Sequence, residues 1–378
     1  MGVLARGLAL SVLACLGCVS PKQSFQCTGN TSCRQGGETG MCEATGYCTF
    51  DDSFCSSGRR YGDASAPPYG GECFVARPPR LGAWVLGTPN GAPRHNAAVL
   101  REGNQVYVVG GNRSQSSLNM SIWLGTVAMG AVTWVQAGDL PEVRHGLGAA
   151  MFGGFLYTFG GGPIGMSSPT VLSAPIGADG SIPALTTTTS MPAALRSIQV
   201  VSSDRHAYIL GGRNATSAVA DILIGTMQDG MLIEWRPGGA LSSPRTAFAA
   251  TLYNDRIYVV GGCLTAGMSC AQASADVEYA EIAADGTVGP FQATTPLPAP
   301  RRHHALEIAA DRAYVVSGDL ATGGTKSVLS THVNPDGSLG LWQVEPNTLV
   351  AERRGSVFAM DGYLMLISDD TEAAPILP

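Results

Sequence analysis

The sequence is poor in charge. Asp, Glu, Lys and Arg make up 14% of its 378 residues and the net charge is −6, where about a quarter charged is usual. A footprint on nucleic-acid phosphates needs clustered cations, and no run of Lys or Arg occurs, so nucleic acid is excluded as a partner. The apolar segment at the start, within MGVLARGLALSVLACLGC, is too short to cross a bilayer. Residues 19–80 contain neither a Cys-x2-Cys pair nor a histidine, which removes the usual zinc spacing. No G-x-S-x-G elbow and no metal-helix histidine spacing occur anywhere, so neither a serine nucleophile nor a metal is expected from motif. No cofactor motif is present either: the doublet Gly110-Gly111 lacks the third glycine and the following helix that a dinucleotide loop requires.

What is present begins with an export signal over residues 1–17, one Arg ahead of a short apolar run that ends on small residues and cysteine. That ending resembles a bacterial lipoprotein signal, with Cys18 as the lipidated residue and Cys15 as the alternative. Choosing Cys18 leaves eight cysteines beyond it, an even number. The implied address is the bacterial cell envelope, as an outer-membrane lipoprotein or a periplasmic or secreted protein, touching the membrane through the lipid anchor only.

Residues 18–80 read as a cysteine-rich stalk. Cys27, Cys33, Cys42, Cys48, Cys55 and Cys73 crowd a Gly/Ser-rich stretch with little apolar periodicity, which no core can hold together. In an exported chain such an even set reads as a disulfide framework whose pairing sequence does not choose.

From residue 81 onward one phrase recurs. An apolar strand runs into a glycine step at Gly110, Gly160, Gly211 and Gly261, and in altered form at Ser317 and Ser368, at intervals of 50, 51, 50, 56 and 51 residues. An arginine opens each unit 14 to 16 residues earlier: Arg94, Arg144, Arg196, Arg245, Arg302 and Arg354. A large apolar residue closes each, at Trp84, Trp134, Leu185, Trp235, Phe291 and Trp342. A period near fifty with four short strands per unit is that of a propeller blade. With the Gly-Gly doublet, the Tyr before it and the Trp on the last strand, residues 84 to about 368 resemble the kelch repeat family. The fold class expected is all-β, a six-bladed kelch-like β-propeller over residues 81–378. The unpartnered strand at Trp84 is expected to complete the last blade, because an open sheet edge would leave backbone groups unpaired.

Topology narrows the search for function. If the first strand of a blade leaves one face and the second returns, all six opening arginines gather at one mouth of the central channel, with His95, His145 and His303 beside them. Two roles are open to such arginines: ties between blades, or a cationic rim for a protein, an anionic glycan or another carboxylate ligand. At least two are expected to be reachable by solvent. Cys263 and Cys270, in the longest loop after a doublet, are expected to pair, removing about 2.5 kcal/mol of loop entropy. The reading preferred is a binding protein that uses this rim. The alternative is an exported carbohydrate-active enzyme resembling a sialic acid mutarotase, in which Glu142, Glu352, His145 and His303 are the candidates to move a proton.

Overall fold

The structure, a computed structural model, describes residues 27, 33–35, 37–43, 47–55, 59–63, 65, 70–71, 80–87, 95–114, 117–265, 270–350, 355–368 and 370–377. The chain divides into two compact units, residues 1–42 with 47–74, and residues 75–378 with 43–46. The signal segment, Cys15 and Cys18, Cys73, Arg94, Glu352 and Arg354 lie outside the described residues.

In the first unit, Met41–Cys42, Cys48–Asp51 and Arg59–Tyr61 form a three-stranded sheet. Disulfides join Cys27 to Cys42 and Cys33 to Cys48 around the buried Phe50 ring. Cys55 is also disulfide-bonded. The sulfurs of Cys27, Cys33 and Cys42 lie within 4.8 Å of one another, but each is held in a disulfide and offers no thiolate to a metal.

The second unit is built on six four-stranded antiparallel sheets, with two-stranded hairpins after the glycine steps of blades 1 and 5. Their innermost strands are Ala98–Glu102, Gly148–Phe152, Gln199–Ser202, Ala249–Tyr253, Ala305–Ala309 and Ser356–Met360, in blades 1 to 6. Blade 6 takes its outer strand from the other end of the unit: Val85–Leu86 pairs with Thr371–Pro375, and Leu81 bridges Ile376. The Glu345 carboxylate fixes the start of that strand by accepting the Arg80 and Leu81 N–H groups at 2.7 and 3.0 Å.

There is no single core. Six apolar clusters each fill the wedge between two neighbouring blades; one joins Val106 and Val108 of blade 1 to Met365 and Ile367 of blade 6, another Tyr258 and Val260 of blade 4 to Leu329 and Trp342 of blade 5. The second strand of each blade is therefore buried on both faces, as in Gln105–Val109 and Arg312–Val316, and reads as an uninterrupted apolar run.

The recurring residues are joints between blades. The Tyr before each doublet donates its hydroxyl to the glycine carbonyl of a turn in the next blade, Tyr208 to Gly286 at 3.2 Å and Tyr258 to Gly337 at 3.0 Å. Three of the closing Trp residues donate the indole N–H toward the preceding blade, Trp342 to Thr295 O at 3.1 Å, Trp84 to Pro346 O at 2.9 Å and Trp235 to Thr189 O at 3.2 Å. The second glycine of the doublet donates forward, Gly111 N to Arg144 O and Gly212 N to Arg245 O, both at 2.9 Å. Only glycine serves there: at Gly111 φ is +88°, and a Cβ would stand 2.8 Å from the His95 carbonyl.

Candidate functional site

The innermost strands enclose a central channel of about 750 Å³. At the doublet end its mouth is built by Asn96, Gly146, Ser197, Ala247 and His303, one from each of blades 1 to 5, with φ between +51° and +62°. This left-handed turn lets the mouth residues bond from blade to blade: Gly146 N donates to Asn96 O at 3.0 Å, Ser197 N to Gly146 O at 2.7 Å, and His303 N to Ala247 O at 2.8 Å.

Two positions before the mouth residue, blades 2, 4 and 5 carry an arginine buried away from the channel. Arg144 and Arg245, expected as ligand-binding residues at the mouth, are each 1% exposed, which corrects that expectation. The Arg144 Nη1 donates to Gly160 O at 3.0 Å and Thr170 O at 3.1 Å, and its other edge holds Glu142. Arg245 donates to Gly261 O at 3.1 Å and pairs with the buried Glu278 at 3.2 Å. In blade 5 this place belongs to Arg301, with Nη1 on Ser317 O and Ser327 O, both at 2.9 Å; burial lowers its pKa to about 10. In blade 3 the place belongs to Leu195, whose carbonyl accepts Gly161 N.

Arg196 and Arg302 are thus one residue out of step with the clamps. In extended chain a shift of one residue turns the side chain to the other face, and the residues in this register bridge the strand end just after the doublet. The pairs are His95 with Asn112, His145 with Gly162, Arg196 with Arg213, Thr246 with Cys263 and Arg302 with Asp319. Each blade fills the pair differently. His145 Nδ1 lies 2.7 Å from Gly162 O, and Cys263 is bonded to Cys270. In blade 5, Asp319 sits 3.6 Å from Arg302 Nε and 2.9 Å from His303 Nδ1.

Blade 3 alone pairs arginine with arginine among the described residues. Their backbones exchange two hydrogen bonds, of 3.0 and 2.9 Å, so the side chains leave directly opposite positions on one face. Arg196 is 9% exposed, and the Nε atoms of both are buried without a hydrogen-bond partner. Burial first, then the Arg213 charge, lowers the Arg196 pKa.

Deeper in the channel is a carboxyl that no sequence motif marks. Glu307 lies mid-strand in ALEIA, where the other blades carry Leu100, Ala150, Val201, Thr251 and Phe358. Its Oε1 accepts the Ala359 N–H at 3.1 Å, and Arg101 from blade 1 donates to the Ala359 carbonyl. Ala359 pairs with Leu364 one step from the hairpin end, a position that turns its N–H and C=O away from the partner strand and into the channel. Burial pushes Glu307 up to about 7, against the Ala359 hydrogen bond and the Arg101 charge. The signal available in sequence was a single charged residue in an apolar inner strand. His304, beside it in the channel wall, is buried with neither ring nitrogen in a well-aligned hydrogen bond. Its pKa falls to about 3, chiefly through burial and then the charges of Arg301 and His303, with the Val260 backbone pulling the other way.

Residues 84–262 match the family described as the KLHDC2/KLHL20/DRC7 Kelch-repeats domain. Among solved structures the chain is similar to the one titled "Structure of YjhT", with a TM-score of 0.60 at 12% identity, covering 77% of this chain and 95% of that one. No curated protein matches it by sequence.

Proposed function

We propose, from the premise that this chain is a kelch-repeat β-propeller, that it is an exported binding protein whose doublet rim holds an anionic protein or glycan. It is carried on a disulfide-stapled stalk and tethered by lipid at Cys18 or Cys15. The disulfides accord with an extracytoplasmic protein.

The supporting observation is a split of charge between the two ends of the propeller. Asp204, Asp255, Asp311 and Asp361 stand in the first hairpin turns, and Asp179, Asp229, Asp285 and Asp336 in or beside the turns after the third strands, all at the end away from the doublets, where they outnumber Arg101, Arg205, Arg236, Arg256 and Arg312. The doublet end presents Arg196, Arg213 and Arg302 in one register, with Asp319 as the acid paired in that register. An acidic partner is repelled by the first end and drawn to the second. The test is binding of the intact protein to immobilised polygalacturonate and polyglutamate. At least one is bound, Arg302→Ala weakens it by about tenfold, or 1.4 kcal/mol, and Asp311→Asn leaves it unchanged or tighter. Binding to neither polymer, or loss on Asp311→Asn alone, rejects the rim.

A second reading, a carbohydrate-active enzyme, has one observation in its favour, the near-neutral Glu307 carboxyl facing the channel. A group balanced between acid and base at neutral pH is suited to proton transfer. In that reading Glu307 takes the role expected of Glu142, which is committed to Arg144 at 2.6 Å. Glu307→Gln then abolishes turnover of an acidic sugar while rim binding persists.

A further inference from the structure

We propose that Arg196 and Arg213 form an oxyanion site, a two-guanidinium fork at the rim of blade 3 that takes a sulfate, phosphate or carboxylate group. This deepens the rim reading and rests on it for the site's accessibility.

The inference comes from comparing equivalent places. In blade 5 the same bridged pair is Arg302 with Asp319, and the acid stands 3.6 Å from the guanidinium. In blade 3 the acid's position is taken by Arg213, and no described residue forms an ion pair with either arginine. Two like charges from opposed positions on one face repel, and neither has a compensating acid. The cost is increased by desolvation: the Arg196 side chain is nearly enclosed, and the Nε–H groups of both residues are buried and unpaired. A buried guanidinium ordinarily finds an acceptor, as Arg144, Arg245 and Arg301 all do within 3.1 Å. What satisfies both Arg196 and Arg213 is a group with several anionic oxygens, able to accept from two planar forks at once.

The surroundings allow such a group to enter. Arg213 is half-buried and begins a short polar loop, in which Asn214 Oδ1 accepts the Thr216 and Ser217 N–H groups at 2.9 Å. That loop closes on itself through the Arg213 to Ala218 bridge and supplies no acid. The neighbouring blade 2 presents Gly165 and Met166 as exposed residues.

The experiment follows thermal unfolding of the intact protein while sodium sulfate, inorganic phosphate or acetate replaces chloride at constant ionic strength. A saturable rise in melting temperature is expected with at least one of the three; acetate sufficing identifies a carboxylate site, and sulfate or phosphate alone a tetrahedral one. Arg196→Gln and Arg213→Gln each weaken the midpoint at least tenfold, whereas Arg205→Gln, in an exposed hairpin turn at the opposite end, leaves it unchanged. Should Arg196→Gln fold poorly, the less buried Arg213→Gln carries the comparison. Identical responses to all four anions, or equal loss from Arg205→Gln, overturns the site. Saturable sulfate binding without polymer binding rejects the rim reading alone; polymer binding without an anion response at Arg196 and Arg213 rejects this site alone.

Discussion

Blades 3 and 5 carry the same architecture and opposite electrostatics. Each puts an arginine, Arg196 or Arg302, across from the strand end that follows the glycine step. Blade 5 meets it with Asp319, and His303 shares the same carboxylate. Blade 3 meets it with a second arginine. Blade 5 also keeps the buried clamp Arg301 beneath, where blade 3 has Leu195. The difference teaches that the repeat specifies a frame, and that ligand chemistry belongs to positions where blades depart from one another.

The sharpest way to break this comparison is to remove a clamp and a rim arginine in parallel. Arg245→Ala strands Glu278, which is 3% exposed, as an uncompensated buried acid and is expected to cost about 3–5 kcal/mol. Arg302→Ala, with its side chain 25% exposed and its nearest acid at 3.6 Å, is expected to cost under about 1 kcal/mol. Chemical denaturation of the two variants measures both; equal losses would remove the distinction between frame and rim.

Glu307 sharpens the comparison from inside blade 5. Its folded pKa of about 7 stands above the ordinary carboxylate value, so the folded protein keeps a proton that the unfolded chain releases. Stability from this group is therefore full at pH 4 and below, and it declines as pH rises toward 7 and beyond. Glu307→Gln retains an acceptor for Ala359 N and has no charge to bury. At pH 8 it is expected to be more stable than the parent by about 2–3 kcal/mol, and at pH 4 to be equal to it. Denaturant midpoints across that range check the slope; an unchanged profile removes the raised pKa from this half-buried acid.

Much of the frame was legible in the sequence, because a blade cannot bury its faces alone and must repeat its joints: Tyr258, Trp342 and the doublets each bond to a neighbouring blade. The site was legible only in part. Tandem Arg301-Arg302 and the absence of an arginine at 195 hid a one-residue change of register, so clamps and rim arginines were read as a single set. Arg213 escaped notice because its meaning depends on the residue across the bridge, seventeen positions away. Glu307 was silent because an inner-strand acid acquires its role from Ala359 and Arg101 of two other blades.

The most direct test of an uncompensated pair in blade 3 is to supply its missing acid. Arg213→Asp copies the Arg302 to Asp319 pair of blade 5, and its melting temperature is compared with the parent's in chloride buffer and again with sulfate. With a counterion built in, the variant should melt about 2 °C or more above the parent in chloride and gain nothing from sulfate, while the parent gains. A variant that melts lower than the parent in chloride, with both proteins indifferent to sulfate, would contradict an anion site at Arg196 and Arg213.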